Sequence, residues 1–86
     1  MGELAGLPNI GKDTERQLNM VGIDTYEDLK SFSAEQAWLK LQEIDASACI
    51  NRLLALEGAL QGVNKTLLTE ERKAELKDFY YWHKKG

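Results

Sequence analysis

The sequence predicts an all-α protein, a compact bundle of about five or six short helices, on three observations. No segment alternates apolar and polar residues over the length of a strand. Several segments instead repeat apolar residues at spacings of three and four, as helices with one buried face do. Helix punctuation falls at the right places: Gly22 and Gly62 follow apolar stripes, and Thr25, Ser33 and Thr69 precede them. Eighty-six residues that are 43% apolar and 29% charged suit one domain over residues 1–86, with an adequate core and no room for a second.

The N-terminal elements form a hairpin. Gly2 to Leu7 supplies a short first helix, and Pro8, the single proline, stops it. Asn9, Ile10 and Gly11 turn the chain, and a second helix from about Asp13 to Val21 returns antiparallel, with Thr14, Leu18 and Val21 as its stripe. Ile10 is expected between the two helices, and Gly11 in a backbone conformation that Ala or Val would strain. The amides that follow point outward at a positive helix terminus, which suits a phosphate. Thr25 then caps a short helix, YEDLKS.

Ser33 with Gln36 reads as a capping box opening a fourth helix, in which Ala34, Ala37, Trp38, Leu41 and Ile44 share the buried face. The fifth helix, SACINRLLALEGALQ, is the most apolar and is expected at the centre of the fold. Its broad face holds Ala46, Cys49, Ile50, Leu53, Leu54, Leu56 and Leu60, which makes Cys49 a small core residue. Its other side carries Ala48, Ala55, Gly58 and Ala59, small enough for a second helix to come close. Glu57 projects from the apolar arc, where an unpaired carboxylate costs several kcal/mol. It therefore needs a partner, either backbone amides at a helix start or a base such as Arg16. After Gly62, Val63, Leu67 and Leu68 are available to pack from a connection, and Thr69 caps the last helix. Glu70 and Glu71 in its first turn and Lys84 and Lys85 at its end match the helix dipole. Leu76, Phe79, Tyr80 and His83 form its inward stripe. Tyr81 and Trp82 fall off the stripe, either covering another helix end or exposed as a protein-contact surface.

Composition excludes several classes of function. One cysteine allows no intramolecular disulfide, and one cysteine with one histidine cannot make a metal site of the usual four-ligand kind. No GxSxG, HExxH or glycine-rich phosphate loop occurs, and the acids are spread as solvated helix faces. The chain is read as a non-enzyme with no cofactor and no metal. The start, MGELAGLPNI, has neither a basic segment nor a long apolar run, and Gly6 stands where a myristoylation signal wants Ser or Thr. The expectation is a cytoplasmic protein with no membrane contact. The net charge is −3, and residues 1–44 carry four bases against eight acids, so the hairpin half is the acidic one.

The hairpin followed by GIDTYEDL resembles the helix-hairpin-helix domains that grip nucleic-acid backbones, over residues 4 to 30 or so. Those hairpins usually place a glycine on each side of the apolar residue; here the first is Asn9, which tolerates left-handed backbone. Across nearly the whole chain, the order LPNIGKDTERQL, GIDTYEDL, an alanine- and tryptophan-bearing helix, and LLALEGALQGV resembles the C-terminal domain of the TfoX/Sxy proteins, regulators of bacterial DNA transformation. That resemblance implies a compact all-α domain with a helix-hairpin-helix-like start, working in competence-gene transcription with another regulatory protein or with the family's N-terminal domain. Two functions are weighed against an enzyme: a protein-interaction module, and a nucleic-acid-backbone binder using Asn9, Ile10, Gly11, Lys12 and Arg16. Lys12 and Arg16 offer about two phosphate contacts where useful affinity takes roughly six or more. The expectation is a regulatory domain that works mainly through protein, with weak DNA contact.

Overall fold

The computed structural model describes residues 3–85. A 3-10 turn over Leu4–Gly6 leads into α1 (Lys12–Met20), α2 (Tyr26–Ser31), α3 (Ala34–Ile44) and α4 (Ile50–Gln61). A second 3-10 turn, Lys65–Leu67, precedes α5 (Glu70–His83). The fold is all-α, as the periodicity predicts, and no helix among the described residues is long and apolar enough to cross a membrane. α4 is central, packing against α2, α3, α5 and the second 3-10 turn. The radius of gyration of 11.7 Å matches the roughly 12 Å of a single globule this long.

The first segment is a single 3-10 turn rather than a helix over Gly2–Leu7; Gly2 lies outside the described residues. So short a segment cannot offset the cost of helix nucleation, and Pro8 pushes Leu7 into extended backbone, at φ −81° and ψ 151°. α1 stops as expected: Gly22 is left-handed at φ 88°, and the Ile23 N–H returns to the Leu18 carbonyl at 2.9 Å. Leu18 and Ile23 are thereby both delivered to the core.

Thr25 carries the full capping box: its Oγ1 accepts from the Asp28 N–H and its own N–H donates to the Asp28 carboxylate. The box expected at Ser33 is half made, because Ser33 Oγ accepts from the Gln36 N–H while no return bond from Gln36 forms among the described residues. In α3, Ala34, Ala37, Trp38 and Leu41 are buried, but Ile44 at the helix end is exposed. Trp38 joins three helices. It is fully buried, donates from Nε1 to the Cys49 carbonyl at 3.3 Å, and meets Phe79 and Tyr80 edge-on at 6.2 and 5.6 Å between ring centroids.

α4 starts at Ile50 rather than at Ser47, and the reason is Asp45. Its carboxylate accepts from the Ser47 N–H at 3.0 Å and its carbonyl from the Ala48 N–H at 3.0 Å, a local turn that competes with helix. Ala46 and Cys49 consequently leave the buried face assigned to them. Cys49 is the exposed N-cap residue of α4 and a free thiol, not a core residue. Gly62 ends α4 in the left-handed region at φ 74°. In the connection Leu68 is buried and Leu67 exposed, and Thr69 caps α5 by accepting from the Arg72 N–H. Leu76 is fully buried, Phe79 and Tyr80 pack on the core, and exposed His83 stacks on Phe79 at 4.0 Å.

Candidate functional site

The hairpin is built around Asn9 and Ile10. Ile10 is buried in the core, as its place between the flanking elements requires. Asn9, not Gly11, takes the left-handed backbone, at φ 69°. Gly11 is ordinary extended backbone at φ −93° and ψ −178°, and a Cβ there would meet nothing within 4 Å, so the strain expected of Ala or Val at Gly11 is absent. Gly11 serves as the N-cap residue of α1 without a side-chain bond.

The Asn9 side chain latches the hairpin to the far end of α4. Its Nδ2 donates to the Val63 carbonyl at 2.9 Å, and its Oδ1 accepts from the Lys65 N–H at 3.1 Å. The small face of α4 explains the approach. Gly58 sits beneath this latch, so what comes close to the Ala55, Gly58 and Ala59 side is the hairpin turn and the Val63–Lys65 linker as well as a helix. The Asn9 amide nitrogen and oxygen are thus both bonded inside the domain.

Around the turn, Lys12 and Arg16 are exposed, and Arg16 lies 3.6 Å from Asp13 in a solvated pair of little energetic weight. Glu15, which shares the first turn of α1 with Asp13, is buried on the inner side of that helix. It accepts from the Leu4 and Ala5 N–H groups at 3.1 and 3.3 Å, fixing the 3-10 turn to α1. Asp13 is then the one acid of the pair left beside the α1 terminus.

Glu57 is the satisfied carboxylate its position demands: its side chain keeps 12% of its exposure, and its partner is Arg72 at 2.9 Å, not Arg16. Arg72 also reaches Glu35 with both terminal nitrogens, at 2.9 and 3.0 Å, and Glu75 at 3.1 Å, tying α3, α4 and α5 together. Burial pushes the Glu57 carboxyl pKa up, but the hydrogen bonds from Arg72 and Gln61 outweigh this and hold it below its ordinary value. The Glu57 and Glu35 carboxylates in turn make the Arg72 guanidinium hold its proton more tightly.

The second candidate surface lies at the end of α5. Tyr81 and Trp82 are 66% and 73% exposed and meet edge-on at 6.1 Å, with Lys84 Nζ 5.2 Å from the Tyr81 ring centre. Among the described residues they cover no other helix end. The end of α5 is held by Gln42, which donates to the His83 carbonyl at 3.0 Å and accepts from the Lys85 N–H at 2.9 Å. The structure therefore leaves the hairpin bases and the aromatic pair as separate surfaces, with Glu57 an internal strut rather than part of either. Among the described residues, no group of three or more His, Cys, Asp or Glu side chains is placed to hold a metal ion. Glu15, Gln42 and Arg72 are the residues the sequence reading missed. Each acts through a partner 11 or more positions away, which a helical period does not reveal.

Comparison with known proteins agrees with this architecture. Residues 1–80 match the TfoX C-terminal domain. Protein Sxy of Escherichia coli (strain K12) is 32% identical over 76 residues, covering 88% of this chain but 36% of Sxy, so the chain spans about a third of that relative's length. An uncharacterised protein from Listeria monocytogenes, solved in a triclinic crystal form, superposes with a TM-score of 0.92 at 43% identity, covering 94% of this chain and 92% of that one. A Listeria monocytogenes protein of unknown function in a tetragonal form gives a TM-score of 0.89 at 44% identity, covering 91% and 96%. The match over residues 1–80 and the likeness in fold together make this chain a member of the TfoX C-terminal domain family.

Proposed function

We propose that this domain is a non-enzymatic regulatory module of the TfoX/Sxy type that works mainly through contacts with protein in the control of competence genes. One observation carries the reading. At the hairpin, where a phosphate would sit, the Asn9 amide is bound to Val63 and Lys65, Asp13 lies 3.6 Å from Arg16, and Lys12 and Arg16 are the two bases the turn presents. Useful affinity for a DNA backbone takes roughly six or more neutralised phosphates, several beyond what this turn offers. The exposed Tyr81 and Trp82 support the same reading, because exposed aromatic anchors are characteristic of protein interfaces. The partner is a regulatory protein or the family's N-terminal domain.

A nucleic-acid-backbone module is the second reading. It is favoured by one feature: Glu15 turns inward, so the α1 terminus is less acidic than its sequence suggests. Titration of duplex DNA at about 50 and 200 mM salt, where phosphate-driven affinity falls steeply, separates the two. The protein-contact reading expects weak binding by the unmodified chain and a gain on Asp13→Lys. Tight binding with a steep salt slope, lost on Lys12→Glu, would promote the DNA reading in its place.

A further inference from the structure

We propose that the cleft between α4, the Lys65–Leu67 turn and α5 binds a segment of a partner protein in which a carboxylate lies beside an apolar side chain. The cleft has a volume of about 310 Å³ and no acidic residue in its lining. Ile50 and Leu54, one turn apart on α4, supply its apolar part; Lys73 and Lys77, one turn apart on α5, face it together with Lys65 and Thr66. Three of the eleven basic residues of an acidic chain therefore converge on one concavity.

Two of the three lysines are anchored, Lys73 by its side chain and Lys65 by its backbone. Lys73 Nζ lies 3.4 Å from the Thr66 carbonyl, and the Lys65 backbone is held by Asn9 through the latch described above. The acid near Lys73 is Glu70, at 3.5 Å, and with 94% of its side chain exposed it is a screened, weakly held partner. An incoming carboxylate can share that ammonium. Ile50 and Leu54 are half-buried, so a ligand side chain gains by covering what remains of them.

Charge and shape select a peptide over a nucleic acid. Three lysines supply about three phosphate contacts, half of what nonspecific DNA affinity requires. A duplex backbone also has nothing apolar to set against Ile50 and Leu54. An acidic-apolar peptide satisfies both halves of the cleft, with the lysines steering its approach. This assignment deepens the protein-contact reading and rests on it.

The test is a nuclear magnetic resonance titration of the ¹⁵N-labelled full chain with a synthetic peptide alternating Leu and Glu, and with its Leu→Ser counterpart of equal charge. The expected result is saturating amide shifts at Ile50, Leu54, Thr66 and Lys73 with the Leu–Glu peptide, with a Kd in the range of about 0.1–1 mM or tighter. Binding should be several-fold weaker with the Ser counterpart and about tenfold weaker in the Lys73→Glu, Lys77→Glu variant. Lys65→Gln with Lys77→Gln provides a milder variant should that double reversal misfold, and is expected to weaken binding in the same direction. Absence of shifts at Ile50 and Leu54, unchanged affinity in the lysine variants, or stronger shifts at these residues with a short DNA duplex would each overturn the assignment. Failure of the protein-contact reading shows elsewhere, as DNA-induced shifts at Lys12 and Arg16 that Lys12→Glu removes.

Discussion

Replacing Gly58 with alanine adds one methyl group where the hairpin turn and the Val63–Lys65 linker meet α4. The new Cβ would lie 2.8 Å from the Val63 carbonyl oxygen and 3.2 Å from the Lys65 Cα, with Asn9 Nδ2 pressed against it as well. The Val63 backbone cannot simply withdraw, because its N–H is bound to the Gly58 carbonyl at 2.9 Å in the left-handed stop at Gly62. Overpacking of this kind costs about 1–3 kcal/mol. Disturbing the two Asn9 hydrogen bonds adds about 0.5–1.5 kcal/mol for each one lost. Alanine returns about 1 kcal/mol through its better helix propensity. The net expectation is a loss of about 2 kcal/mol, or a fall in Tm of roughly 8–16 °C for a domain of this size. Urea and thermal unfolding followed by circular dichroism measure it, and in an Asn9→Ala background the penalty should shrink by about 0.5 kcal/mol or more, since the two residues share the contact. A Gly58→Ala protein as stable as the parent would refute the reasoning, because propensity would then have prevailed over packing.

Three further outcomes are expected. Gly11→Ala should cost no more than about 1 kcal/mol, the penalty of alanine at an N-cap position, whereas Asn9→Ala, which forces alanine into the left-handed region and removes the latch, should cost about 2–3 kcal/mol; equal effects at the two positions would contradict the turn. Glu15→Ala should cost about 1–3 kcal/mol by leaving the Leu4 and Ala5 amides unpaired, measured by urea unfolding. Glu57→Gln should cost about 1 kcal/mol near neutral pH, because Arg72 keeps Glu35 and Glu75. The folded-state pKa of Glu57 lies below its ordinary 4.5, so its charge contributes stability above that pH and loses it as pH falls through the folded value. The gap between parent and Glu57→Gln should therefore close on acidification below about pH 4.5, and a gap that widens there would oppose the assignment.

Much of this protein follows from local rules. Thr25, Ser33 and Thr69 cap helices, and Gly22 and Gly62 stop them, because each satisfies backbone groups within a few residues of itself. The buried positions of Leu18, Trp38, Leu53 and Leu76 follow from period, since a stripe at 3.6 residues has one face to hide. Ile10 and the need to satisfy Glu57 were legible for related reasons: a lone apolar residue in a turn, and a carboxylate on an apolar arc. Where local signals compete, the outcome was harder to read. Asp45 could extend a helix or close a turn, and its bond to Ser47 moved the start of α4 and turned Cys49 outward. Asn9 and Gly11 both tolerate unusual backbone, and it is Asn9, bonded to Val63 and Lys65, that is left-handed.

Tertiary structure alone decided the partners. Arg72 for Glu57, the Leu4 and Ala5 amides for Glu15, the α5 terminus for Gln42, and the meeting of Lys65, Lys73 and Lys77 above Ile50 and Leu54 all join residues from different elements. A helical period tells which side of a helix is buried, but not which neighbour lies against it. Charge pairing and cleft chemistry act over a few ångströms in space, and only the packing of one helix on another brings such residues within that reach.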